Sequence, residues 1–434
     1  MQLTKKQLIK LILPFTILFV TVYSVLSLPN EKFPMLTYLK STTVWWVISV
    51  AILVVFVFSN YYFFDKKNSI NLQLVKIYLI WNIICIIRGM FVAEGYWEWK
   101  GLIGNIFALL LPIVAYSATN KVVVQSLLSF YIKYGLPLFL LFALLIRTDA
   151  YGFYLVPVSF LLLFLPALSL RQKLLLIFFT AVVLTADLGA RSNIIKFVVP
   201  FVFLLFYYFR NTISVKTMEI IRLILIATPI LFFVLGVTGV FNVFKMDEYI
   251  KTDYEGTGVD EAGNRVKTDL KGDTRTFIYI EVLQSAKKNN YWLFGRTPAR
   301  GNESESFGEI EYELTRRYER LTNEVAITNV FTWTGIIGVI LYFLIFFSAS
   351  FLAVNRSENI YVKIIGLYIA FRWLYAWVED VNNFSLNYLM LWIMLGLCYS
   401  FTFRGMTNRE VTIWVRGIFD KRYLTFENPT DKNE

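Results

Sequence analysis

The sequence predicts an all-α polytopic membrane protein, with about twelve transmembrane helices and a large, mainly helical loop between the ninth and the tenth. Three observations predict it. Hydrophobic residues make up 57% of the 434 residues and charged ones only 17%, against about 25% in soluble domains. The mean hydropathy is +0.57, and a water-soluble fold of this size could not cover so much apolar surface. The apolar residues also gather in long runs, as lipid crossings of about 20 residues require.

In chain order the runs are Leu8–Leu28, Val44–Phe64, Leu72–Phe91, Leu102–Tyr116, Val124–Ile146, Phe153–Leu168, Leu174–Leu188, Ile194–Phe209, Ile220–Phe244, Val325–Phe347, Ile364–Trp377 and Leu386–Phe403. The sixth, seventh and eleventh are short and must extend into flanking polar residues or sit inside the bundle. The first follows Lys5-Lys6, is too long for the core of a cleaved signal peptide and lacks a small-residue cleavage site, so it reads as a signal anchor. With the N-terminus inside, Lys66-Lys67, Lys121, Arg171, Lys173, Arg210, Arg356 and Lys363 all fall in inner loops. The short outer loops hold acids and aromatics instead, such as Glu94, Trp97 and Glu98, or Glu379 and Asp380. This positive-inside alternation puts both termini in the cytoplasm and accounts for the net charge of +11 without nucleic acid.

The chain divides into helices one to nine (1–244), a loop domain on the periplasmic face (245–323), helices ten to twelve (324–403) and a cytoplasmic basic tail (404–434). In the tail, Val411–Phe419 alternates apolar and basic residues, as in a helix lying on the inner leaflet. Residues from Glu427 onward are polar and expected to fray. Cys85 and Cys398 lie inside apolar runs and read as small core residues. With 0 His, the commonest general base and metal ligand is missing, so no metal or cofactor is expected.

The loop of about 80 residues far exceeds an ordinary connection. Asp253 to Lys271 is rich in Gly, Asp and Lys and is expected to be mobile. Asp273 can cap a helix starting at Thr274, whose apolar face is Phe277, Ile278, Val282 and Leu283. The segment Trp292–Gly301 is a turn with two glycines and two arginines, Arg296 and Arg300, suited to holding an anion. A second helix is expected from Glu309 to Leu321, with Glu313 pairing Arg317.

Ionisable groups at membrane depth are costly and usually functional. Arg88, Arg147, Arg191 and Arg372 all fall toward the outer side. Arg88 and Arg147 can equally snorkel to lipid phosphate. Arg372 can pair with Glu379 or Asp380. Arg191 has glycine and other small neighbours, which let a ligand approach closely. Glu324 stands at the lip of the tenth run, where partial desolvation would raise its pKa and make it a usable base; it can also simply favour a helix N-terminus.

The layout resembles the O-antigen polymerase and O-antigen ligase superfamily of membrane glycosyltransferases. Three segments carry the resemblance: Thr185–Ser192 with Arg191; Asp273-Thr274-Arg275 followed by Trp292–Gly295; and Asn323-Glu324 followed by Gly335-Ile336-Ile337-Gly338. It implies glycosyl transfer between undecaprenyl-pyrophosphate-linked oligosaccharides on the periplasmic face of a bacterial inner membrane, without a metal. Arg191 and Arg275 match the family's two pyrophosphate-binding arginines. Glu324 falls where the ligases have histidine, which favours a polymerase with Glu324 as general base. Arg88, Arg147, Arg296, Arg300, Asn323 and Arg372 are the expected substrate-binding residues. Membrane lipid and a chain-length regulator protein are the partners implied. The alternatives are an O-antigen ligase, a lipid-linked oligosaccharide flippase or transporter, and a scaffolding protein.

Overall fold

Without water to bond them, backbone N–H and C=O groups must pair internally, so apolar runs in lipid become helices. The computed structural model describes residues 4–26, 28–30, 33, 41–249, 255–259, 265–269, 273 and 275–423. Before the long loop come α1 (Lys5–Val25, with a step at Pro14), α2 (Thr42–Phe63), α3 (Gln73–Val92), α4 (Tyr96–Ala118), α5 (Lys121–Leu145), α6 (Leu170–Ala186), α7 (Arg191–Tyr208) and α8 (Val215–Val237). The loop contributes α9 (Thr276–Asn289) and α10 (Gly308–Thr315). After it come α11 (Ala326–Asn355), α12 (Ile360–Tyr375), α13 (Leu386–Tyr399) and α14 (Asn408–Phe419).

Among the described residues, eight helices are long and apolar enough to cross a membrane: α1 to α5, α7, α8 and α11. Their outer faces stay uncovered. On α2, Val44, Val47, Val50, Val54, Val57 and Phe58 form one exposed stripe at helical spacing, and Ile77, Ile80, Ile84, Ile87 and Phe91 form another on α3. Stripes this long and apolar suit lipid, not water. This is an all-α membrane protein.

The other four expected crossings are shorter or broken. Pro157 and Pro166 divide the sixth run into Tyr151–Tyr154, Val156–Leu162 and a tight turn at Leu165–Ala167. Proline removes a helix donor, and broken backbone at membrane depth has to be wrapped in protein; the side chains of Val158 and of Phe160 to Phe164 are accordingly buried. The helices α6, α12 and α13 have 17, 16 and 14 residues. Every residue of α13 is buried, which makes it the axis of the bundle.

The expectation for the tail helix changes. Helix α14 does not present its apolar face outward: Val411, Trp414, Val415 and Ile418 are buried. Trp414 donates to the Lys121 carbonyl at 2.9 Å, and Arg416 to that of Ala167 at 2.9 Å. The bundle supplies a complementary apolar surface, so α14 caps its tail end. The frayed terminus, Glu427 onward, lies outside the described residues.

The long loop is less helical than expected. It holds two small antiparallel sheets, β1 (Glu255–Val259) with β2 (Arg265–Asp269) and β3 (Asn302–Glu303) with β4 (Glu319–Arg320). The first hairpin occupies part of the stretch expected to be mobile; the rest of that stretch lies outside the described residues. The helix expected to reach Leu321 stops at Thr315, because Arg316 turns left-handed (φ 60°) and the chain enters β4. Arg317 therefore leaves Glu313 and pairs with Glu98 at 2.6 Å and Glu94 at 3.0 Å at the start of α4.

The loop docks by inserting residues 292–296 against a break in α11. Gly335 there has φ 69° and ψ −172°. The break frees the N–H of Ile336, which donates to the Trp292 carbonyl at 2.9 Å, while Arg296 N–H donates to Thr332 at 2.7 Å. Gly295 and Gly335 lie face to face: a Cβ on Gly335 would stand 2.2 Å from the Leu293 carbonyl oxygen, and one on Gly295 would stand 2.5 Å from Gly335 N.

Candidate functional site

The site is built where the loop meets the bundle. Helix α9 begins at Thr276, two residues later than expected, and Asp273 accepts from the N–H groups of Arg275 at 3.0 Å and Thr276 at 2.9 Å at its start. Burial works to raise the Asp273 carboxyl, but hydrogen bonds from Thr276 and Arg275 outweigh it and hold the group below the usual carboxylate range. The cap sets Arg275 at the N-terminus of α9, where the helix dipole disfavours a cation. The guanidinium is compensated from elsewhere: Nε donates to the Val378 carbonyl at 3.1 Å and Nη1 to Glu324 at 2.5 Å. The second Glu324 oxygen accepts from Arg320 at 3.3 Å, and Arg320 itself lies 4.4 Å over the Phe307 ring. Glu324 is thus clasped by two arginines, with its side chain 51% exposed. A carboxylate whose two oxygens both serve guanidinium groups orients cations more readily than it takes up a substrate proton.

The turn after α12 organises these groups. Tyr375 donates to the Ser192 carbonyl at 3.1 Å, next to Arg191, which opens α7 and is exposed. Val378 receives Arg275, and the Glu379 carbonyl receives Ala326 N–H at 3.1 Å, two residues past Glu324. Arg275, and the backbone close to Arg191 and to Glu324, are therefore anchored along residues 375–379, at the loop-bearing end.

Most of the expected substrate-binding arginines are committed to protein partners. Arg88 donates to the carbonyls of Phe294 at 2.6 Å and Gly295 at 3.2 Å, so it fastens the loop instead of reaching lipid. Arg147 forks onto Asp149 at 2.7 and 3.2 Å. Arg296 and Arg300 share Glu319: Arg296 reaches it at 2.8 Å, and Arg300 reaches it through Nε at 2.7 Å and through Nη2. The two arginines of the glycine–arginine turn are thus held on one carboxylate of β4. Arg372, 1% exposed, does not pair with Glu379 or Asp380; it donates to Asn387 at 3.0 Å, because α13 packs closer to it than the turn does. Asn323 is buried in a ladder of amides, donating to Asn302 at 2.8 Å and exchanging bonds with Asn329 at 2.6 and 2.8 Å. Of these pairings, those of Arg88 join segments more than 200 positions apart, while Arg147 pairs two residues away.

Converting Arg88 to methionine should loosen this docking, since each hydrogen bond from a charged donor is worth about 1.5–3 kcal/mol. The expected result is a lower melting temperature in detergent and faster amide exchange over residues 291–300; exchange at the wild-type rate would count against the fastening role.

Two cavities are lined in part by chain neighbours of Arg275 and Glu324. One, about 280 Å³, is the more polar of the two and is lined by Thr322, Asn329, Asp380, Asn382 and Asn383, with walls from Tyr23, Trp333 and Phe384. The other, about 600 Å³, is apolar and lies between α8, α9 and the end of α12; it is lined by Thr276, the residue after Arg275, and by Val378, the residue Arg275 bonds. Asp380 is the group in the polar cavity that sequence reasoning missed as a site residue. Its oxygens accept from Asn382 N–H at 3.1 Å and Asn383 Nδ2 at 2.9 Å. Desolvation pushes its carboxyl up to about 7; Glu379 adds to the rise, while the bonds from Asn382 and Asn383 and the charge of Lys196 lower it. The polar run Glu379-Asp380-Val381-Asn382-Asn383 between two apolar runs was the available signal. Lys196 was also missed: it is 2% exposed, with Nζ 4.4 Å over the Phe153 ring.

Comparison with known proteins finds no family model, no curated protein and no solved structure that matches the chain.

Proposed function

We propose that this protein joins undecaprenyl-pyrophosphate-linked repeat units by glycosyl transfer, as an O-antigen-type polysaccharide polymerase does. The observation that carries the reading is a three-part arrangement: an apolar cavity of about 600 Å³, a charged junction of Arg275, Glu324 and Arg320, and a polar cavity of about 280 Å³. An apolar tail, an anionic link and a hydroxyl-rich head meet these three environments in that order. The pyrophosphate of the donor lies at Arg275 and Arg320, with Arg191 on the same rim. The guanidinium forks stabilise it as it departs, which is the charge that develops in the transition state. Glu324 holds the two arginines in register.

In this reading the four shorter or broken segments also pass through the bilayer, giving twelve crossings. Both termini are cytoplasmic, and the loop faces the periplasm of a bacterial inner membrane, in line with the distribution of Lys and Arg. A chain-length regulator would meet the periplasmic side.

The test is purified protein in detergent supplied with lipid-linked repeat units, the products being separated by length. A ladder of longer lipid-linked chains is the expected result. No extension by the wild-type protein would overturn the reading. Transfer only to an added lipid A core would mark a ligase, and absence of any product, together with movement of the lipid across vesicles, a flippase.

A further inference from the structure

We infer that the polar cavity seats the acceptor sugar, with its attacking hydroxyl against the carboxylate of Asp380, which takes the proton. The inference rests on the proposed glycosyl transfer and names the acceptor side of that site.

Small-molecule clefts span about 300–1,000 Å³, so a cavity of about 280 Å³ suits one sugar ring, not an oligosaccharide. Its chemistry matches a neutral polyol. Amides and hydroxyls dominate the polar lining, and Asp380 is its one carboxylate among the described residues. Several of these groups keep bonding capacity for a ligand. Asn105 donates to the Pro298 carbonyl at 2.9 Å, and its side-chain oxygen has no protein donor among the described residues. Asn383 uses its Nδ2 on Asp380 and likewise keeps its oxygen. Apolar ring faces come from Tyr23 and Phe384, whose centroids are 5.8 Å apart.

Asp380 is better suited to the proton than Glu324. Its two bonds come from neutral amides, and none comes from a guanidinium among the described residues. A general base works best when its pKa lies near the working pH, and the Asp380 carboxyl lies at about 7. The charged groups that act on it are Glu379 of its own turn and Lys196 of α7. In the step, the acceptor oxygen bonds to the anomeric carbon of the donor and its proton passes to Asp380. The bond from that carbon to pyrophosphate breaks, and the pyrophosphate leaves with the electron pair toward Arg275. Water then removes the proton from Asp380.

Two variants of the full chain in detergent test this. Asp380→Asn keeps the shape but cannot take the proton. Gly104→Leu fills the cavity from its wall; a Cβ there meets nothing within 4 Å, and leucine favours helix over glycine, so the fold is spared. Binding is read by saturation-transfer NMR with the host's repeat-unit saccharide, released from its lipid carrier. Asp380→Asn should bind it like wild type but transfer about 10²–10⁴-fold more slowly, and the wild-type rise in rate through pH 7 should disappear. Gly104→Leu should lose both binding and transfer. Wild-type transfer by Asp380→Asn, or undiminished binding by Gly104→Leu, overturns the inference. If the wild type binds the saccharide, Gly104→Leu does not, and no chain is extended, the polymerase reading fails and takes the base role with it, while the sugar cavity stands.

Discussion

Replacing Arg275 by alanine is expected to reduce chain extension about 10²–10³-fold, the usual cost of losing one donor to the charge developing in a transition state. Arg275 joins the apolar cavity to the charged junction, bonding both the Val378 carbonyl and Glu324. Lysine at this position keeps the charge but not the fork, so Arg275→Lys should recover only part of the rate. Glu324→Gln should cost less than Arg275→Ala, since it leaves both arginines in place. The measurement is initial rate against lipid-linked repeat units, with melting temperature as the control for folding. Equal and complete loss in Glu324→Gln, with an unchanged melting temperature, would return the role of base to Glu324. Full activity in Arg275→Ala would remove the pyrophosphate assignment.

Gly335→Ala should do the greatest damage to stability. The backbone there occupies a region that is essentially glycine-only, and strain of this kind costs about 1–3 kcal/mol. The added methyl would also overlap the Leu293 carbonyl oxygen at 2.2 Å and Gly295 N at 2.4 Å, both backbone atoms that cannot swing away. The expected outcome is a loop that undocks from α11, seen as protease cleavage between residues 290 and 300 and as a fall in melting temperature, about 1–3 °C from the strain alone in a chain of this length. A variant with wild-type melting and wild-type protease resistance would refute the insertion. Because residues 292–296 lead into the Arg296–Glu319–Arg300 cluster and the cluster leads to β4 and Glu324, activity should fall together with docking.

Runs of apolar residues and the side on which Lys and Arg collect were legible because each is a local property of the chain. They specified helices, a membrane environment and one long loop. Even the cap at Asp273 followed from local chemistry. The length of the helices was less legible. Phe153–Leu168 is apolar enough to look like a crossing, yet two prolines break it, and only the surrounding helices supply the wrapping that makes a broken segment tolerable. The tail helix showed its amphipathic pattern in the sequence, but that pattern fits a membrane surface and an apolar bundle end equally well.

Partnerships between distant segments were not legible. A guanidinium takes whichever carboxylate or carbonyl the fold brings within reach. Arg88 meets residues more than 200 positions away, Arg317 crosses from β4's approach to α4, and Glu319 satisfies two arginines that the sequence offered to an anion. Asp380 became a base candidate only when α1, α4, α11 and its own turn half-buried it, since desolvation comes from neighbours and not from position in the chain. The sequence by itself determined that this chain is a helical membrane protein with a charged, loop-bearing end. Which of its charges are spent on holding that end together, and which remain for chemistry, was decided by tertiary structure, because pairing and burial depend on distances that no local pattern encodes.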